Sequence, residues 1–326
     1  MMEFRALAVG AALALAAAAA LAQREPVQNY PSKPIRLIVP FAPGGGTDIT
    51  ARTIGQKLAE AWGQPVVIDN RSGAAGNIGM ELAAKSPPDG YTLTLVSATH
   101  SVNPSLKSNL PYDLVRDLTP VTRATSQPYI LVVHPAVPAR SVAELLALAR
   151  AKPGSLSYGS SGTGGFSHLS GALLASMTKT NLVHVPYKGG SPALSDVIAG
   201  QIQMVFATPL ESGSQIRAGR VRTLAVSTTR RSIAFPEIPT LNEAGVPGFE
   251  VNGWYGILAP AKTPREIIAK LNAEITRILR TPEVVEHFAR NGVEAVATTP
   301  EEFGAHIRAE IAKWKKVVAE AGLKAE

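Results

Sequence analysis

Short apolar runs alternate with amphipathic stretches along most of this chain. The runs are bounded by proline, glycine or polar residues, as expected for buried strands. They lie at 35–39, 66–68, 91–96, 130–133, 156–158, 183–185, 203–206, 224–226 and 255–258. Between many of them, apolar residues recur every three or four positions, which predicts helices. This alternation indicates an α/β fold in which mostly parallel sheets are covered by helices.

Three helix starts carry capping patterns. Ser141 precedes a periodic apolar stretch and has Glu144 three residues later, which predicts a capping box. The segments 263–266 and 299–302 read Thr-Pro-Arg-Glu and Thr-Pro-Glu-Glu, with Thr at the N-cap, Pro in the first turn and Glu at the third helical position. The C-terminal part of the chain is therefore predicted to be helical.

The first residues have the pattern of an export signal. Arg5 precedes an apolar run at 6–21, and Ala20-Leu21-Ala22 fits a small-x-small cleavage pattern. The run is short and rich in alanine for a membrane-spanning helix, which needs about 20 apolar residues. We therefore expect a signal peptide at 1–22, cleavage near Ala22/Gln23, and a soluble periplasmic protein.

Composition narrows the classes of function. The chain has 326 residues and no cysteine, which excludes disulfides, thiolate nucleophiles and zinc–thiolate sites. Its six histidines have no metal-ligand spacing, so neither a metal nor a cofactor is predicted. The formal charge is +7, but Lys and Arg are scattered along the chain, which disfavours a nucleic-acid partner.

Two glycine-rich loops each join a predicted strand to a predicted helix, at 40–48 and 158–168. The first lacks the Gly-Lys-Ser/Thr of a phosphate-binding loop, and the second has Ser167 where a dinucleotide fingerprint needs its third glycine. Two interpretations stay open for each loop. Main-chain N–H groups at a helix start can bind an anion, or the glycines simply form tight turns.

Catalytic motifs are not evident. Ser160 and Ser161 are not in a Gly-x-Ser-x-Gly elbow, because Thr163 replaces the final glycine. His168 and Asp196 are conceivable partners of a serine nucleophile, but nothing in their spacing supports a triad. No catalytic residue is predicted, and the chain is not expected to be an enzyme.

Six segments in chain order carry a family resemblance: 40–48, 69–79, 88–93, 110–113, 184–189 and 254–260. Together they resemble the solute receptors of tripartite tricarboxylate transporters, the Bug-type periplasmic receptors. The resemblance implies a two-lobed type II periplasmic-binding-protein fold with two hinge crossovers, which closes like a Venus flytrap on a small organic acid. It also implies a membrane partner with one large and one small subunit.

The resemblance also implies lobe boundaries and a ligand site. We expect lobe one to comprise residues 30–129 plus 253–326, and lobe two residues 130–252. The predicted ligand-binding residues are Phe41, Ala42, Gly44, Gly45, Gly46, Thr47, Asp48, Ser97, Ser160, Ser161, Gly162, Thr163, Gly164, His168, Tyr187 and Thr208.

Some of these residues have a second interpretation, and so has the function. Asp48 is equally plausible as a helix N-cap, Tyr187 as a packed aromatic, and His168 as a solvent-exposed helix residue. The main functional hypothesis is a monomeric receptor that delivers a carboxylate to a transporter. The alternatives are a sensor that signals to a membrane kinase and a serine hydrolase using Ser160. The identity of the acid stays open.

Overall fold

The computed structural model describes residues 29–107 and 109–322, so the predicted signal peptide lies outside the described residues. The strands are β1 (Ile35–Val39), β2 (Val66–Asn70), β3 (Thr92–Ser97), β4 (Leu118–Pro128), β5 (Ile130–Val133), β6 (Ser157–Ser160), β7 (Val183–Pro186), β8 (Met204–Ala207), β9 (Arg222–Val226), β10 (Asn252–Pro260) and β11 (Glu294–Ala295). The helices are α1 (Gly46–Trp62), α2 (Asn77–Ala84), α3 (Thr99–Leu106), α4 (Val142–Ala151), α5 (Phe166–Thr178), α6 (Gly190–Ile198), α7 (Pro209–Arg217), α8 (Arg265–Leu279), α9 (Pro282–Arg290) and α10 (Pro300–Glu320). A 3-10 turn, Ala74–Gly76, precedes α2.

The strands form two sheets, each the centre of one lobe. The first sheet has the order β11-β4-β10-β3-β1-β2 and the second β7-β6-β8-β5-β9. The two-lobed α/β fold is thus confirmed. The sheets are mixed rather than mostly parallel: β2, β1 and β3 pair in parallel, as do β7, β6 and β8, while the remaining neighbours are antiparallel.

The chain passes between the sheets twice, and one serine joins the two passages. The first lies between Pro128 and Ile130, and the second follows β9 and ends where β10 begins. Ser227 Oγ donates to the carbonyl of Val251 at 2.5 Å and accepts from the N–H of Tyr129 at 2.8 Å. Main-chain hydrogen bonds add Ser227 N to Tyr129 O and Val251 N to Ser227 O, both at 2.9 Å. The fully buried Ser227 therefore ties both connections together at the hinge.

The C-terminal helix covers the junction of the lobes. Trp314 of α10 packs edge-on against Phe166 at the start of α5, with ring centroids 4.8 Å apart. Phe303 of the same helix packs perpendicular to Trp254 of β10 at 5.6 Å. All four rings are almost fully buried. Within 29–107 and 109–322, no helix is both long and apolar enough to cross a bilayer.

The structure differs from the sequence predictions at three elements, two of which (α3 and α7) contribute residues to the site described below. The strand β4 and the helices α3 and α7 were not expected from periodicity. β4 lies inside the first sheet and carries buried Thr and Gln residues where a core strand usually has aliphatic ones, so its apolar pattern is weak. Ser141 and Thr299 cap α4 and α10 as predicted. Thr263 does not cap α8: its hydroxyl donates to Pro260 O at 2.8 Å, and the helix starts at Arg265 without a side-chain cap.

We expect Ser227→Ala to lower the free energy of unfolding by about 1–3 kcal/mol, because it removes two buried hydrogen bonds that join the hinge connections. Ser195→Ala is the matched control, since the exposed Ser195 hydroxyl donates only to the carbonyl of Ser191 within α6. Its effect should stay within about 0.5 kcal/mol. Urea unfolding followed by circular dichroism measures both, and equal small losses would contradict this role of Ser227.

Candidate functional site

A small cleft lies between the two lobes. It is formed where β1, β3, β6, β7 and β8 end and the helices α1, α3, α5, α6 and α7 begin. Ligands of open α/β sheets bind at this carboxyl edge of the strands. The residues that line the cleft are Phe41, Gly45, Gly46, Thr47, Ser97, Thr99, Tyr129, Ser161, Ser167, Gly190, Thr208, Glu211 and Tyr255.

Helix N-termini dominate the electrostatics of this cleft. Each start carries free N–H groups and about half a positive elementary charge from the helix dipole. The residues at the N-cap positions of α1, α3, α5 and α6 are Gly45, Ala98, Gly165 and Gly189, and none of them makes a side-chain capping hydrogen bond. Helix starts without such caps attract anions, so the cleft is suited to a carboxylate or a similar anion.

Hydroxyl groups supply most of the remaining polar surface. Eight of the lining residues are Ser, Thr or Tyr, and none is Lys, Arg or His. One of these hydroxyl oxygens, Thr208 Oγ1, is buried. No group of three or more His, Asp or Glu side chains within the described ranges could hold a metal ion. An anion in this cleft would therefore be held by N–H and O–H donors rather than by a cation.

The glycines of the two loops serve different purposes. Gly44, Gly162 and Gly164 have φ values of +79°, +120° and +86°, the left-handed region that other residues rarely adopt. At these three positions the glycine is needed for a tight turn of the backbone. At Gly46, a Cβ atom would lie 2.5 Å from Thr208 Oγ1 and 2.6 Å from Tyr255 Oη. Gly46 is therefore required for close approach across the cleft.

The two lobes touch on both sides of the cleft. Ala42 N in the first-lobe loop donates to Lys188 O at 3.1 Å. Phe166 N at the start of α5 donates to Thr99 Oγ1 at 3.1 Å. Because each bond joins residues from different lobes, the described arrangement is the closed one.

One acidic side chain projects into the cleft. Glu211 is the third residue of α7, and its carboxylate accepts from Thr208 N at 2.7 Å and from Gly46 N at 3.4 Å. Burial raises the pKa of Glu211 to about 7, although the N–H groups of Thr208 and Gly46 favour the charged form. The same burial, together with the charge of Glu211, raises the pKa of Tyr255 well above its usual value.

The structure brings part of the predicted ligand site together. Seven predicted residues line the cleft: Phe41, Gly45, Gly46, Thr47, Ser97, Ser161 and Thr208. Nine do not line it: Ala42, Gly44, Asp48, Ser160, Gly162, Thr163, Gly164, His168 and Tyr187. Eight of these nine belong to the same two glycine loops without lining the cleft themselves, and Tyr187 lies after β7.

Three residues with two interpretations have local partners. Asp48 is the third residue of α1, where it accepts from Gly44 N and Arg52 Nε, both at 2.9 Å, and from Asn70 Nδ2 at 3.0 Å. Tyr187 donates its hydroxyl to Asp196 at 2.6 Å, as a packed aromatic would. His168 is partly buried, and its Nδ1 accepts from Gly164 N at 3.1 Å.

Ser160 is hydrogen-bonded to a histidine but faces away from the cleft. Its Oγ lies 2.6 Å from His184 Nε2 and accepts from Gly162 N at 3.1 Å. Ser160 is fully buried, and burial beside His168 lowers the pKa of His184 to about 4. A nucleophile must reach a substrate, so this pair fits support of the second loop better than hydrolysis.

Six lining residues were not predicted: Thr99, Tyr129, Ser167, Gly190, Glu211 and Tyr255. Tyr129 lies at the lobe junction and Tyr255 within a strand, and no local pattern indicates either. Glu211 did have a signal. Residues 208–211 read Thr-Pro-Leu-Glu, the same capping pattern found at 263–266 and 299–302.

Comparisons with known proteins agree with this geometry. Residues 50–323 match the family described as tripartite tricarboxylate transporter family receptor. The chain is 38% identical over 310 residues to the protein BugT of Bordetella pertussis, which covers 94% of this chain and 95% of that protein.

Two solved structures are similar over most of the chain. The R. palustris protein Rpa4515, solved with adipate, is 38% identical with a TM-score of 0.88, covering 91% of this chain and 100% of that one. MatC from Rhodopseudomonas palustris, solved with bound malate, is 31% identical with a TM-score of 0.85, covering 89% of this chain and 100% of that one.

Replacing Asp48 by Ala should destabilise the protein by about 1–3 kcal/mol near neutral pH, because Gly44, Arg52 and Asn70 lose the almost fully buried carboxylate that accepts from all three. Burial opposes ionisation of Asp48, but hydrogen bonds from Arg52, Gly44 and Asn70 prevail and hold its pKa below the usual value. A depressed pKa stabilises the fold above the unfolded-state pKa, and this contribution is lost as the pH falls below about 4.

Urea unfolding at about pH 7 and about pH 3 checks this expectation. The difference between wild type and Asp48→Ala should shrink at the lower pH. Glu320→Ala, at the exposed end of α10, is the control and should change little at either pH. A difference that stays constant with pH would contradict the assigned role of the ionised carboxylate.

Proposed function

The chain belongs to the tripartite tricarboxylate transporter receptor family, and on that premise we propose that it binds a small organic acid between its lobes and delivers it to a tripartite membrane transporter. The observation that carries the proposal is the convergence of five helix starts on a cleft without any Lys or Arg. Such a cleft favours an anion small enough to be reached by donors from both lobes.

A carboxylate is the anion that fits these donors best. Planar oxygens can accept at once from main-chain N–H groups of one lobe and hydroxyls of the other. Related structures solved with adipate and with malate support this class of ligand. Binding would then stabilise closure, because the ligand completes hydrogen bonds that neither lobe makes alone.

We place the lobe boundaries at residues 30–129 plus 253–326 and 130–252. The change of sheet between Pro128 and Ile130 supports the first boundary, and the return to the first sheet at β10 supports the second. Ser227, which is bonded to both connections, marks the axis about which the lobes rotate. The receptor would act as a monomer that presents its closed form to one large and one small membrane subunit.

The acid should be detectable by its effect on thermal unfolding. At a hundred-fold excess over the dissociation constant, binding adds about 2.7 kcal/mol to the stability, which raises the melting midpoint by roughly 4 to 10 °C. A screen over mono-, di- and tricarboxylates, aromatic acids and amino acids, with protein first unfolded and refolded, measures this shift. A midpoint that responds to nucleotides or sugars but to no carboxylate would refute the proposal.

A pair of neighbouring glycines provides the matched variants. Gly46→Ala should weaken binding of the best acid by more than about tenfold, because the new methyl group meets Thr208 and Tyr255 and hinders closure. Gly45→Ala is the control, since its Cβ would lie 3.5 Å from Glu211 Oε2, an ordinary contact distance. Isothermal titration calorimetry compares the two, and equal losses would argue against close approach at Gly46.

We also propose that the protein is exported, with cleavage between Ala22 and Gln23. The apolar run at 6–21 and the Ala20-Leu21-Ala22 pattern support this, and so does the membership of a family of periplasmic receptors. N-terminal sequencing of protein from a periplasmic fraction should yield Gln23 or a residue close to it. Recovery of a chain that still begins at Met1 would contradict the proposal.

A further inference from the structure

The carboxylate of Glu211 occupies the position in the cleft where an anion would be expected. It reaches from the first turn of α7 to Gly46 at the start of α1. It accepts one hydrogen bond from a main-chain N–H group at the start of each of these helices. It also rests on the start of α6, where a Cβ atom at Gly190 would overlap both carboxylate oxygens. Three of the five helix starts therefore already face an acidic group of the protein itself.

Within the part of the chain that the structure describes, no cation neutralises the Glu211 carboxylate. The titratable side chains facing it are Tyr255 from β10 and Tyr129 from the connection between the sheets, and both carry raised pKa values because of burial. No Lys, Arg or His of the described residues contributes to the pKa of Glu211. A second carboxylate placed beside it would meet like charge in a poorly solvated site, which is unfavourable.

The other end of the cleft has no such group. There the starts of α3 and α5 present Thr99, Ser161 and Ser167, all neutral hydrogen-bonding residues. A ligand carboxylate can bind at this end without meeting an acidic residue of the lining. The two ends of the cleft thus differ in charge. A ligand that spans the cleft must therefore also differ in charge between its own two ends.

We infer that Glu211 selects the class of acid: one carboxylate at the α3/α5 end, and at the other end a hydroxyl, amide N–H or ammonium group that donates to Glu211. This inference rests on the proposed function of the cleft. An acid with a second carboxylate next to Glu211 enters only together with a proton, which converts the Glu211 carboxylate into a donor. Glu211 is therefore a residue that determines the specificity of the cleft.

The raised pKa of Glu211 allows such proton uptake near neutral pH. Burial raises its pKa to about 7, so the carboxyl group is mostly ionised near pH 8 and mostly protonated near pH 6. If only the protonated form admits a diacid, the competent fraction changes about tenfold over that interval. The affinity for an acid with a neutral hydroxyl at its far end should change much less.

The experiment compares acids of equal length by isothermal titration calorimetry at about pH 8 and about pH 6. One set is succinate, γ-aminobutyrate and γ-hydroxybutyrate, and a longer set is adipate with its ω-amino and ω-hydroxy analogues. The proteins are wild type, Glu211→Gln and the exposed control Glu301→Gln. The amide of Glu211→Gln can still accept from Thr208 N, so the start of α7 keeps its cap.

In wild type near pH 8, the amino or hydroxy acid should bind at least about tenfold more tightly than the diacid of the same length. The diacid should gain about tenfold towards pH 6. In Glu211→Gln, the preference should disappear or reverse, and the pH dependence should fall to that of the ligand's own titration. Glu301→Gln should behave as wild type.

The outcomes separate the two proposals. If acids bind but Glu211→Gln keeps the wild-type preference, or if the diacid already binds more tightly to wild type near pH 8, the inference about Glu211 is wrong and the receptor function stands. If no carboxylate binds any of the proteins at either pH, both proposals fail. The wild-type pH series needs no substitution, so the inference is decided even if Glu211→Gln does not fold.

Discussion

The cleft depends on one electrostatic constraint, the convergence of five helix dipoles on a small volume. Helix starts bring partial positive charges together, which is favourable only if acceptors lie among them. This explains why the lining has hydroxyls and glycines but no Lys or Arg, since a cation would add to the same potential. It also explains why the capping positions of four of these helices carry glycine or alanine, because a capping side chain would fill the place of the ligand.

Glu211 shows how a protein can meet this constraint in part by itself. Its carboxylate stabilises α7 in the ordinary way of a capping box, and the same group crosses to α1 in the opposite lobe. A residue that serves the local helix thus also joins the lobes. Any solute that enters the cleft either competes with the Glu211 carboxylate for these N–H donors or binds beside it. The stability of α7, the closure of the lobes and the selectivity for solutes therefore all depend on this one side chain.

Much of the architecture could be predicted from sequence, because buried strands and amphipathic helices leave periodic patterns. β4 was not predicted because Thr and Gln replace aliphatic residues at several of its buried positions. Both glycine loops were recognised as candidate binding loops, and they contain five of the seven predicted residues that line the cleft. Tyr129, Gly190 and Tyr255 were missed since only tertiary packing brings them there. Glu211 was missed although its Thr-Pro-x-Glu pattern is visible in the sequence.

The position of β10 has a consequence for the order of folding. This strand lies between β3 and β4 in the first sheet, yet it is contributed by residues 252–260, after the whole second sheet is complete. A chain that emerges from its N-terminus can assemble β5–β9 as a contiguous unit, while the first sheet still lacks a central strand. Pairing across more than a hundred residues is slow, because the loop must close before any contact is gained. We therefore expect the first lobe, and with it the binding cleft, to be the last part of the molecule to form.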